Sequence, residues 1–114
     1  MYDFALTICA GDEGIYEERC IDEYECIHVS DEIFERILPE FVGLKTYFPC
    51  IHKWASVIDW TGITIIPMES MKRFLAITVA SREKDYWNLY ELEGLITLVE
   101  QGIRENRSLI IFGI

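Results

Sequence analysis

The stretch Asn88–Phe112, NLYELEGLITLVEQGIRENRSLIIF, carries the strongest fold signal in the chain. From Asn88 to Glu105 apolar residues recur at the spacing of one helix face; they are Leu92, Leu95, Ile96, Val99 and Ile103. Asn88 and Glu91 occupy the positions of an N-cap and its capping-box partner. The apolar run Leu109–Phe112 is typical of an interior strand covered on both faces. The stretch therefore predicts an amphipathic helix followed by a central strand.

Two glycines, Gly94 and Gly102, interrupt the predicted helix. A glycine inside a helix costs about 1 kcal/mol relative to alanine, because its backbone loses more conformational freedom on folding. We therefore expect a neighbouring element to approach the helix closely at these two positions.

The amino-terminal residues predict two strands joined by a long acidic connection. Tyr2–Cys9 alternates strictly between large apolar residues and smaller or polar ones, which is typical of a half-buried strand. Gly11 and Gly14 mark a turn after it. A second strand is predicted at Cys20–Val29. The chain between the two strands is rich in acids.

The middle of the chain predicts two helices separated by short strands. Ser30 is suited to cap a helix that ends or kinks where Pro39 removes a backbone donor. The β-branched residues within Ala55–Ile66 predict one or two short strands. Pro67 suits the start of a second helix, whose apolar residues recur as far as Val79.

These elements follow the order β-β-α-β(β)-α-α-β within one domain, residues 1–114. Strands and amphipathic helices at this length predict an α+β fold. We expect a mixed, mainly antiparallel sheet of about four to five strands with about three helices packed on one of its faces. The stretch Leu44–Trp54 is the least regular and receives no predicted element.

The composition indicates a compact acidic protein. Of its 114 residues 51% are hydrophobic, which is enough for one buried core. Twenty acids and ten bases leave a formal charge of −10, which excludes a generic nucleic-acid binder. No apolar run approaches the ~20 residues of a membrane span, and the amino terminus lacks a secretory signal. We therefore expect a cytoplasmic protein that binds no membrane.

The negative charge is concentrated in the first third of the chain. Residues 1–40 contain twelve acids and two bases, whereas residues 41–114 contain eight of each. Within Asp12–Glu25, here called the acidic segment, seven of fourteen residues are acids, and two tyrosines are interleaved with them. Such a surface attracts a basic protein, and tyrosines supply anchors. The candidate partner-binding residues are Asp12, Glu13, Tyr16, Glu17, Glu18, Asp22, Glu23, Tyr24 and Glu25.

In its size, its acidity and this acidic segment, the chain resembles the small immunity proteins of bacterial toxin–immunity pairs, such as those of contact-dependent growth inhibition. No shared motif accompanies the resemblance. It implies a non-catalytic inhibitor that binds a basic toxin domain, often a nuclease, and blocks its active site. A carboxylate-rich surface competes for the field with which a nuclease attracts phosphate. The alternative explanation of the same charges is a solvated loop that aids solubility.

Two Cys-Ile-His triplets, Cys26–His28 and Cys50–His52, contain both histidines of the chain. On a strand each triplet places a thiol and an imidazole on one face. Two triplets would therefore supply the four ligands of a Cys₂His₂ zinc site. Their spacing differs, however, from that of familiar zinc motifs. The alternative is buried cysteines and strand-end histidines. The triplets also suit a small hydrolase, but no catalytic motif accompanies them. We predict no enzymatic activity, metal or cofactor.

The aromatic residues within 44–60 support a second hypothesis for function. This stretch contains Tyr47, Phe48 and Trp54 together with two lysines. Aromatic side chains supply large contact area in binding sites. The alternative function is therefore an adaptor or regulatory subunit that binds a peptide or small ligand through these residues.

Overall fold

A computed structural model of the chain describes residues 2–6, 26–49, 51–59, 61–85 and 90–113. The strands are β1 (Tyr2–Leu6), β2 (Ile27–Val29), β3 (Thr46–Phe48), β4 (Lys53–Ala55), β5 (Ile63–Ile66) and β6 (Leu109–Phe112). The helices are α1 (Asp31–Ile37), α2 (Met68–Lys84) and α3 (Leu92–Glu105), and a 3₁₀ turn, Leu38–Phe41, follows α1. This turn begins beside Pro39, where the sequence predicts the helix to end.

The strands form one six-stranded sheet in the order β2-β1-β6-β5-β3-β4. The predicted α+β fold is confirmed, with more strands than the four to five expected. Every neighbouring pair is antiparallel, so the expected mixed sheet is wrong for the strands that the structure describes. The extra strands come from the hairpin β3–β4, which lies within the irregular stretch Leu44–Trp54 except for its last residue, Ala55. Each has only three residues, too few to display an alternation.

An aromatic core connects the sheet to the helices, which pack on one of its faces as predicted. Phe34 of α1 lies between Tyr2 and Phe4 of β1, with ring centroids 4.7 and 5.0 Å away. Phe41 stacks between Phe34 at 5.9 Å and Phe74 of α2 at 4.7 Å. All five side chains are at most 1% exposed. Because the aromatic rings join β1, α1 and α2, we infer that they anchor both helices on the sheet.

Helix α1 begins after Ser30, as the sequence predicts, but a different residue completes its start. The Ser30 side chain makes no capping hydrogen bond. Instead the backbone N–H of Ser30 donates to Oε2 of Glu91 at 3.0 Å. Glu91 is itself the N-cap residue of α3, which begins at Leu92, so the predicted capping box is wrong in placing Glu91 inside the helix; Asn88 lies outside the described residues. A side chain distant in sequence thus completes the start of α1.

Helix α2 is present as predicted after Pro67 and continues to Lys84, past the last residue of its predicted apolar pattern. Its β-branched residues 77–79 also favour a strand, because branching at Cβ restricts side-chain rotamers in a helix. Within α2 the Thr78 hydroxyl donates to the carbonyl oxygen of Phe74 at 2.8 Å, which satisfies the buried hydroxyl locally. Packing on the core therefore outweighs the local strand preference.

Candidate functional site

The nine residues predicted to bind a partner lie outside the described residues; they are Asp12, Glu13, Tyr16, Glu17, Glu18, Asp22, Glu23, Tyr24 and Glu25. The two strands that flank this acidic segment in sequence are described. They pair as antiparallel neighbours, with Tyr2 opposite Val29, at the β2 edge of the sheet. The described chain therefore stops at the end of β1 and resumes next to the edge strand β2.

Ion pairs of the described residues occur in both parts of the chain, and within residues 1–40 Asp3 contacts His28. Four acids after residue 41 each contact an arginine or lysine at N–O distances of 2.8 to 3.5 Å; they are Glu69, Asp85, Glu93 and Glu105. Some exposed acids have no ion-pair partner within the described ranges: Glu32, Glu35 and Glu40 near α1, and Glu83 and Glu100 on the later helices. The acids near α1 belong to residues 1–40, the part of the sequence in which negative charge is in excess.

At the opposite edge of the sheet, the hairpin β3–β4 presents a tryptophan whose orientation is held by its neighbours. The ring centroids of Trp54 and Tyr47 lie 4.9 Å apart across the hairpin. Nζ of Lys45 lies 4.4 Å from the centroid of the Trp54 ring and 3.0 Å from a carboxylate oxygen of Glu69. Trp54 is nevertheless 49% exposed. Ring packing and the cation–π contact leave the indole both oriented and accessible.

The exposed apolar surface of the described residues is concentrated around this hairpin. Of five exposed large hydrophobic residues, four lie within residues 42–57: Val42, Ile51, Trp54 and Val57. A hydrogen bond from the backbone N–H of Gly43 to the carbonyl oxygen of Ser56, 2.8 Å long, joins the two ends of this segment. We call these four residues the hairpin surface. Exposed apolar groups that form a patch mark interaction sites, and three of the four residues, Ile51, Trp54 and Val57, lie within the stretch 44–60 of the second sequence hypothesis.

The two histidines lie near opposite edges of the sheet, which excludes a single zinc site built from both triplets. His28 is on β2, and His52 is in the turn between β3 and β4. Three strands separate β2 from β3, so at the usual strand spacing the histidines are about 20 Å apart. Ligand atoms on one zinc ion lie within about 4 Å of each other. Cys50 lies outside the described residues, and those described contain no cluster of three or more potential metal ligands.

The first triplet has the geometry of a paired histidine but not the electrostatics of an activated thiol. Nδ1 of His28 lies 2.5 Å from Oδ1 of Asp3 on the neighbouring strand. Burial raises the pKa of the Cys26 thiol and the Asp3 carboxylate raises it further, although a hydrogen bond with the Phe4 backbone lowers it. A nucleophilic cysteine needs a lowered pKa, because the thiolate is the reactive form. Cys26 therefore stays protonated at neutral pH.

This electrostatic coupling predicts a slow reaction of Cys26 with iodoacetamide. We expect Cys26 to alkylate more slowly in the folded protein than in urea, because its raised pKa reduces the thiolate fraction. Asp3→Asn removes a charge that raises this pKa, so the alkylation profile of Cys26 should move to lower pH. Peptide-resolved mass spectrometry separates Cys26 from the other cysteines. Glu100→Gln, the control, should leave the profile unchanged; an equal shift in both variants contradicts the coupling.

A shallow apolar groove with a volume of about 330 Å³ lies between β2 and α3. Its lining residues are Ile27, Gly94, Thr97, Leu98 and Gln101. These side chains are apolar or neutral, so the described lining offers no group for acid–base catalysis or ion binding.

Comparisons with known proteins give no assignment of family or function. A scan against protein-family models found no match to the chain. Searches of the curated proteins and of the solved structures likewise found no match. Among the helices of the described part of the chain, none is long and apolar enough to cross a membrane.

Proposed function

We propose that the protein is a non-catalytic cytoplasmic inhibitor that binds a basic protein, a toxin domain of the nuclease type, through its acidic segment. The observation that carries the proposal is the uneven charge: residues 1–40 have two bases against twelve acids, and residues 41–114 balance eight against eight. Two observations of the described residues support it: four acids after residue 41 are in ion pairs, and the exposed acids Glu32, Glu35 and Glu40 near α1 have no ion-pair partner in the described ranges.

The proposed mechanism is electrostatic attraction followed by anchoring. A patch of one sign accelerates encounter with an oppositely charged protein and repels proteins of its own sign. Tyr16 and Tyr24 would then provide the contacts that hold the complex, because tyrosine is enriched among residues that dominate binding energy. A nuclease is a suitable target, since its substrate site must be basic to attract phosphate. A partner seated on this surface has its substrate access blocked.

Charge reversal within the acidic segment tests the proposal. The protein encoded by the adjacent reading frame is the first partner to examine, as the resemblance to immunity proteins suggests. We expect Glu17→Lys with Glu18→Lys to slow association at low salt by about fivefold, and to flatten its dependence on ionic strength, because steering is lost. Stopped-flow measurements of the association rate across a salt series give both quantities.

A control variant with the same net charge distinguishes the effect of the acidic segment from the effect of total charge. Glu83→Lys with Glu100→Lys also changes the net charge from −10 to −6, by −10 + 4, but alters exposed helix positions instead. The control should retain most of the association rate. Equal slowing by both variants would show that only the overall charge matters, and an unchanged rate in the first variant would refute the proposed interface.

A further inference from the structure

We propose that the outer edge of β4 binds an acidic segment of a partner protein in extended conformation, as a further strand of the sheet. This strand lies at the edge of the sheet opposite β2. The proposal does not depend on the inhibitor function, and either can hold without the other.

The edge of β4 has the backbone groups that strand addition requires. β4 pairs with β3 on one side, and no strand in the described ranges pairs with its other side. An edge strand presents N–H and C=O groups that an extended peptide can satisfy. The main-chain hydrogen bonds of such a complex supply affinity, and the alternate side chains supply specificity.

The alternation of β4 defines which side chains an added strand would meet. Trp54 is opposite Tyr47, so their side chains share one face of the sheet, whereas Lys53 and Ala55 face the other way. An added strand thus presents every second side chain to the indole and the remaining ones to the Lys53 side. Apolar residues suit the first set, and carboxylates suit the second.

The charge of this region selects an acidic occupant. Residues 41–58 contain Lys45 and Lys53 and no acid, in a chain whose net charge is −10. Lys45 is already paired with Glu69. Lys53 is exposed and has no ion-pair partner within the part of the chain that the structure describes. A carboxylate of a bound peptide could therefore pair with Lys53, whereas a lysine of a bound peptide would be repelled by the like charge of Lys53.

Trp54 is the anchor of the proposed complex. Its indole is 49% exposed, and Tyr47 and Lys45 already hold its orientation. A side chain ordered before binding loses less conformational entropy when the partner arrives. Tryptophan is also enriched among the residues that dominate interface energy.

A blocked octapeptide of alternating glutamate and valine is the probe, with an alternating lysine–valine octapeptide as its control. Binding is measured by isothermal titration calorimetry with the full chain. We expect the glutamate peptide to bind at least about tenfold more tightly than the lysine peptide, and Lys53→Glu to reverse this preference. Trp54→Ala should weaken binding by about 30-fold. Tyr90→Ala, which removes an aromatic side chain 61% exposed outside the hairpin surface, should not.

N-methylation of the peptide tests the binding mode. In strand addition only alternate amides donate to the edge, so methylation at every second residue should abolish binding, and methylation of the other set should preserve it. Loss of binding from both sets or from neither overturns the strand mode. Equal affinity for the two peptides overturns the acidic occupant. A dimer that sedimentation shows to depend on Trp54 overturns the proposal in favour of a second copy at this edge. None of these outcomes affects the association-rate test of the acidic segment.

Discussion

Replacing Phe34 with alanine is expected to lower the free energy of unfolding by about 3–5 kcal/mol, the range for deleting a buried aromatic ring. Phe34 is fully buried and lies within 5.9 Å of three aromatic rings, measured between centroids. Two of these rings belong to β1 and one follows α1. The neighbours are held by strand pairing and by the 3₁₀ turn, so they can collapse only partly into the space that alanine leaves.

Urea-induced unfolding followed by circular dichroism measures this loss. Small domains are stable by about 5–15 kcal/mol, so we expect the transition midpoint of Phe34→Ala to fall strongly with an unchanged slope. Val42→Ala is the control, because Val42 is 65% exposed and its truncation should change stability by less than about 0.5 kcal/mol. A loss below about 1 kcal/mol for Phe34→Ala would contradict the central place of the aromatic core.

The parts of the fold that sequence could predict are those whose periodicity is long enough to read. The sequence that begins near Leu92 predicts α3 and β6. For α3, fourteen residues with apolar positions at helical spacing are enough to define one amphipathic face. β1 follows in the same way from its alternation. The sequence did not predict β3 and β4, because a strand of three residues is too short to show an alternation. In addition, β3 is held by the pairing of Tyr47 with Ile65, which is distant in sequence.

The candidate sites show the same limit. The acidic segment is visible in sequence because charge counts need no tertiary structure. The aromatic residues Tyr47 and Trp54 are visible too, but their position on an edge strand depends on the order of all six strands. Likewise the hydrogen bond between the Ser30 backbone and the Glu91 side chain joins residues 61 positions apart. No local sequence pattern predicts such a contact. Residue types in the sequence can therefore indicate a candidate site, whereas the exposure of its side chains and its position at the sheet edge are known only from the structure.

Gly102→Ala is expected to lower the free energy of unfolding by about 1–3 kcal/mol, the usual cost of overpacking. An added Cβ would lie 2.7 Å from Leu6, 2.8 Å from Met71 and 2.9 Å from the carbonyl oxygen of Arg107. Leu6 and Met71 are fully buried, and the backbone of Arg107 is tied to Gly102 by an N–H to carbonyl hydrogen bond of 2.7 Å. The close approach predicted from sequence is confirmed at this glycine. The gain of about 1 kcal/mol in helix propensity is too small to offset these clashes.

Gly94→Ala in the same helix is expected to act in the opposite direction. The nearest side-chain atom to its added Cβ would be Cγ2 of Ile27 at 3.4 Å, an ordinary contact, so the close approach predicted here is not found. The helix-propensity gain then dominates, and stability should rise by about 0.5–1 kcal/mol. Urea titrations of both variants give their difference. Because the chemical change and the helix are the same, helix propensity largely cancels, and a difference of about 1.5–4 kcal/mol isolates packing as the reason for glycine at position 102. If both variants changed the free energy of unfolding by the same amount and in the same direction, helix propensity and not packing would explain the effect at both glycines.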